Sequence, residues 1–221
     1  MKSSIRTAIG LVVAATLLIP GTASAAQMKA TDEPTTSDTL TPLTDKCSKK
    51  KERDIGGDVI AVAEACLYFY GLQATEETDL QRDYGVAWLQ SYVDAKNGWC
   101  VREVVSDIVI PSGAQLHATE PGDKSPDEKK RVKTKLKVDA AGSAADPATA
   151  KQSYVLYPEK MKTSRKEGNG EDVSWHLKWS GRKAKPLGFA SGAEVSWAVE
   201  DGPPPNLQFE LQYFVEQTTN C

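Results

Sequence analysis

Near the C-terminus, "NLQFELQYFVEQ" alternates apolar with polar residues almost without error. Leu207, Phe209, Leu211, Tyr213 and Val215 take every second place, with Gln208, Glu210, Gln212 and Glu216 between them. A period of two is the side-chain repeat of an extended strand, whereas a helix repeats every 3.6 residues. No helix collects these apolar residues on one side, so the segment is committed to a half-buried strand. Phe214 alone breaks the pattern, standing where a polar residue is expected.

The same period recurs upstream. In "DVSWHLKWSG", Val173, Trp175, Leu177 and Trp179 share one face, opposite Ser174, His176 and Lys178. "EVSWAV" and "SYVLYP" read as shorter strands, and the turn formers of "EGNGED", "FASGAE" and "DGPPPN" separate them. "VIAVAEACLYFY", from Val59 to Tyr70, also fits a helical face, but its β-formers favour a strand covered on both sides. Asn97-Gly98, between "SYVDAK" and "WCVREVV", is the preferred dipeptide of a type I′ hairpin turn. Pairing Lys96 with Trp99 sets a register in which Ala95 faces Cys100 and Val93 faces Arg102. It gathers Leu89, Val93, Cys100, Val104 and Ile108 on one face. Tyr84, Val86, Trp88, Tyr92, Val101, Val105 and Val109 fall on the other, interrupted by Glu103 and Asp107. About eight strands with little helix predict an all-β chain, an antiparallel β-sandwich of immunoglobulin-like or jelly-roll type.

The N-terminus speaks to compartment. Lys2 and Arg6 precede an uncharged apolar run, Ala8 to Ile19, and "PGTASA" ends it in small residues. That order predicts a signal peptide over 1–25, cleaved after Ala25, and a secreted, extracellular protein. The apolar run, about 12 residues, falls short of the ~20 that span a bilayer, so no membrane span is expected after cleavage. Residues 26–54 hold Thr, Ser and Pro with no aromatic residue and no apolar period. They are expected to form a disordered linker, leaving 55–221 as the sandwich domain.

Export also gives the cysteines a role. Cys47, Cys66, Cys100 and Cys221 all lie beyond the signal, and an even count in an oxidising compartment predicts two disulfides. Cys100 near the turn and Cys66 on the preceding apolar element suggest Cys66–Cys100, with Cys47–Cys221 tying the ends. No Cys-x-x-Cys spacing points to zinc or redox chemistry, and no metal or cofactor is expected.

Losing residues 1–25 removes two bases and no acid, taking the formal net charge from −3 to −5. That balance opposes nucleic-acid binding. Against it stands "KKRVKTKLKV", where Lys129, Arg131, Lys133, Lys135 and Lys137 alternate with Val132, Thr134, Leu136 and Val138. In a strand this is a solvated basic face, which also discourages edge-to-edge association. It makes a positive stripe suited to a cell-wall polyanion, and it lacks the interleaved aromatics of single-strand nucleic-acid binders.

Catalytic signals are sparse. His117 and His176 are the two histidines, with no Gly-x-Ser-x-Gly elbow to complete a Ser-His-Asp set, so no catalytic residue is assigned. Glu64, Glu103 and Asp107 stand among apolar neighbours and are candidates for partly buried acids. Trp175 and Trp179 share a face with Val173 and Leu177, as core residues do. The leading expectation is a non-catalytic secreted protein that binds or serves structurally at the cell envelope, its partner a cell-wall polymer or another extracellular protein. The alternative is a secreted hydrolase of a polysaccharide or ester, which requires a pocket where His176 or two of the carboxylates converge.

Overall fold

A computed structural model describes residues 35–36, 40–72, 82–120, 131–138, 148–155, 161–167, 172–184, 186–218 and 221. Twelve strands, rather than about eight, account for nearly all of them: β1 (Thr35–Thr36), β2 (Leu40–Arg53), β3 (Val59–Leu72), β4 (Arg82–Ala95), β5 (Trp99–Ile110), β6 (Ala114–Glu120), β7 (Arg131–Val138), β8 (Ala148–Val155), β9 (Met161–Glu167), β10 (Val173–Lys183), β11 (Leu187–Ala198) and β12 (Gln208–Gln217). A 3-10 turn, Val199–Asp201, precedes β12.

Every pairing among the described residues is antiparallel. A five-stranded sheet runs β2-β3-β4-β11-β6, a four-stranded sheet β12-β5-β10-β9, and a three-stranded sheet β1-β8-β7. The first two form the expected sandwich. Their facing sides supply one core, in which Leu67, Phe69, Leu89 and Val93 meet Val104, Ile108, Trp175, Leu177 and Trp179. Each such side chain, taken fully from water, contributes about 2 kcal/mol before ordering costs. The three-stranded sheet lies against β4, β6 and β11. A second apolar cluster, Leu40, Tyr84, Val86 and Trp88, occupies the side of the five-stranded sheet turned away from the main core. β4 is thereby buried on both sides, and this is why its sequence is apolar at odd and even positions alike.

Residues 59–70, ambiguous between strand and helix, lie within the strand β3. The C-terminal alternations become β10 and β12 with the expected residues facing inward. Gly85 marks a close approach: a Cβ there would lie 2.7 Å from the Phe69 ring and from the Tyr70 carbonyl oxygen.

Three expectations are corrected. The linker boundary at residue 54 is too late, because Leu40–Arg53 forms β2, an edge strand paired along β3. Thr, Lys and Pro suit an exposed edge that faces water and resists further pairing, and they resemble linker composition when no partner is in view. The signal segment 1–25 lies outside the described residues, as does the linker up to residue 34.

The turn at Asn97-Gly98 forms, with φ of 53° and 81° and Trp99 N donating to the Lys96 carbonyl at 3.0 Å. The hairpin does not. β4 pairs with β3 and β11, whereas β5 pairs with β10 and β12, so the chain passes from one sheet to the other at that turn. Leu89, Val93, Val104 and Ile108 do gather as expected, but across the gap between layers rather than side by side.

The cysteine pairing is corrected for the same reason. The bridges are Cys47–Cys66 and Cys100–Cys221. Cys66 points away from the main core, beside Tyr92, while Cys100 sits in the opposing sheet, so the two cannot meet. Cys47 is instead the direct register partner of Cys66. β12, running beside β5, returns the chain terminus to Cys100, with Glu216 as that residue's register partner.

Candidate functional site

The four-stranded sheet turns Trp175, Leu177 and Trp179 inward, so the alternate positions of β10 face the other way. On that outer side His176 is the register partner of Asp107 on β5, and its Nδ1 lies 2.7 Å from Asp107 Oδ1. Both residues are only 8% exposed. Burial pushes the Asp107 carboxyl above the usual carboxylate range. His176 and Lys166 oppose that shift and Glu210 adds to it. Glu210, on β12, is the register partner of Asp107 from the other side, and it accepts a 2.7 Å hydrogen bond from Gln212 Nε2. Glu103 is paired with Lys178 Nζ at 2.6 Å. These groups line an open depression of about 440 Å3, with Val105 in its floor. The convergence set out for the hydrolase alternative is therefore met, by His176 with Asp107 in one depression, although no nucleophile is hydrogen-bonded to that imidazole among the described residues.

The rest of a hydrolytic set is elsewhere. His117, on β6, places Nε2 2.6 Å from the Ser196 hydroxyl on β11. Arg82 Nε donates to the same oxygen at 2.9 Å, which leaves the serine proton free for the imidazole. Burial first, and then Arg82, lower the His117 pKa, consistent with a neutral ring that accepts this proton. Ser196 itself is fully buried, so no substrate carbonyl reaches its oxygen. The acid–imidazole pair and the imidazole–hydroxyl pair belong to different histidines in different sheets. Ser164, register partner of His176 on β9, makes no hydrogen bond to it.

Glu103 joins His176 and Asp107 along the same depression, whereas the other candidates lie apart. Glu64, on β3, forms an ion pair with Lys49 in the five-stranded sheet, remote from Glu103 and Asp107. Glu103 and Asp107 share the outer side of β5 but stand four residues apart, about 13 Å along a strand. Trp88, Trp175, Trp179 and Trp197 are buried, which withdraws them from any surface sugar platform. Among the described residues no cluster of three metal-ligating side chains occurs. Arg131, Lys133, Lys135 and Lys137 take alternate positions of β7, and the register sets Lys135 opposite Lys151 of β8. Lys129 lies outside the described residues. Glu210 and Gln212, missed in the sequence, join the site only because β12 pairs with β5. Alternation assigned both to a polar side but not to a neighbour.

No protein-family model matches the chain, and no curated protein matches it. Among solved structures, the Clostridium perfringens NetB toxin in its membrane-inserted form is similar at 8% sequence identity and a TM-score of 0.38. The alignment covers 78% of this chain and 84% of that one. A superposition that loose does not define a shared fold. Two disulfides fit an oxidising, extracellular environment, and among the described residues no helix is long and apolar enough to cross a membrane.

Proposed function

We propose that this is an exported protein, cleaved after Ala25, that works by binding at the cell envelope and not by catalysis. One observation carries the reading: the parts of a hydrolytic triad are divided between two histidines, and the hydroxyl that has an imidazole partner is inaccessible. A positioned nucleophile beside its base is the minimum for acyl transfer. His176 with Asp107 has the geometry of a rigid polar pair that presents fixed donors and acceptors, which suits recognition equally well.

The basic strand supports an attachment to an anionic cell-wall polymer. Four cations at alternate positions of β7, with Lys151 opposite the third, concentrate positive charge in a chain whose balance is negative.

Retention of the oxidised protein on a cell-wall fraction, measured with and without added salt, tests the reading alongside assays of ester and glycan hydrolysis. Retention without turnover is expected. Turnover that disappears in Ser164→Ala or His176→Ala replaces this reading with the hydrolase.

A further inference from the structure

Phe214 is the residue that interrupts the alternation of β12, and it is 37% exposed. Its neighbours Leu211, Tyr213 and Val215 pack on the core, so Phe214 lies on the outer side with Gln212 and Glu210. Its register partner on β5 is Glu103. The ring therefore stands at the rim of the depression that holds Asp107 and His176, about 7 Å along the strand from Gln212. An aromatic face beside a fixed set of hydrogen-bonding groups, on the side of the sandwich that carries no third layer among the described residues, has no role in packing the core.

From this juxtaposition we propose that the outer side of the four-stranded sheet binds a neutral saccharide, with Phe214 as the stacking platform. The inference rests on the reading of the protein as a binding protein and names what this face takes. Sugar rings offer apolar C–H faces to an aromatic ring and hydroxyls that both donate and accept. Gln212 supplies an amide, Lys178 an ammonium, and Glu103, Asp107 and Glu210 supply acceptors, as those hydroxyls require. The groups are held in advance: Lys178 by Glu103, His176 by Asp107, and Gln212 by Glu210. Preorganisation of this kind lowers the ordering cost of binding. The acids lining the depression, Glu103, Asp107, Glu167 and Glu210, outnumber Lys166 and Lys178, which repels a polyanion and leaves an uncharged glycan as the matching class.

Affinity electrophoresis of the oxidised protein through gels carrying neutral polysaccharides (a glucan, a mannan, a galactan and an arabinan) tests the site. Retardation by at least one of them is expected, unchanged by added salt. Phe214→Ala is expected to weaken it about tenfold, whereas Phe214→Trp retains it. Thermal unfolding of both variants checks that they fold. Absence of retardation in every neutral gel overturns the proposal, and so does retardation that Phe214→Ala leaves intact. Salt-sensitive retention on a cell-wall fraction, without neutral-glycan binding, also overturns this site while sparing the broader binding reading.

Discussion

Ser91 on β4 and Ser106 on β5 hold each other across the gap between the two sheets, hydroxyl to hydroxyl at 2.6 Å, and both are fully buried. The contact locates the two strands on opposite sides of one core. It also predicts an asymmetry. Ser91→Ala strands the Ser106 hydroxyl in an apolar interior and is expected to cost about 1–3 kcal/mol, whereas S91A/S106A together costs less than the sum of the single changes. Urea unfolding of the three variants measures this, and additive losses would refute the contact.

The two cystines close loops of different size. Cys100–Cys221 spans a sequence separation of 121 and Cys47–Cys66 one of 19. On the chain-entropy account the first contributes about 5 kcal/mol and the second about 3. C100S/C221S is expected to lower the denaturant midpoint more than C47S/C66S. The reverse order would show that native-state effects at the β2 edge outweigh loop closure.

Acid is expected to weaken the fold at His117. Its folded pKa lies below the ordinary 6.5, so the unfolded chain binds its proton first as pH falls. Stability present above that value is lost as pH drops through the folded pKa. His117→Gln is expected to flatten the decline in melting temperature between neutral pH and about pH 5. Because the ring is largely exposed, the change is modest. An unaltered slope would show that the Ser196 contact does not sense the proton.

Base acts through tyrosines. Tyr92 and Tyr213 are both pushed up from 10.0 to about 12, first by burial and then by Asp94 and Glu52 respectively. A raised folded pKa means that their contribution is complete below 10 and is lost as pH climbs toward 12. Of the seven tyrosines, these two are expected to ionise late in an ultraviolet titration, close to alkaline unfolding. Tyr213→Phe removes one late ionisation. Titration of all the tyrosines as one group near 10 would contradict the burial of both.

Much of the local structure was readable from the chain. Alternation in "DVSWHLKWSG" and "NLQFELQYFVEQ" named the inward faces of β10 and β12, because an L-peptide strand has only two sides. Asn97-Gly98 announced a turn with two positive φ values, because few residues tolerate them. Phe214 announced itself as an exception. The site is less legible: Asp107 stands out as an acid among apolar neighbours and His176 as one of two histidines, with nothing in their spacing to show that they touch.

The sequence by itself determined that the segments of β10 and β12 are extended, which side of each is apolar, that the chain turns at Asn97-Gly98 and how many cystines it forms. Each of these follows from side-chain period, backbone sterics or cysteine count within a short window. Tertiary structure alone decided that β4 and β5 part into separate sheets, that Cys47 meets Cys66, and that Glu210, Asp107 and His176 stand in one row. An apolar side is satisfied equally by a neighbour in its own sheet or by the opposing one. Only the closing of the whole sandwich chooses between them.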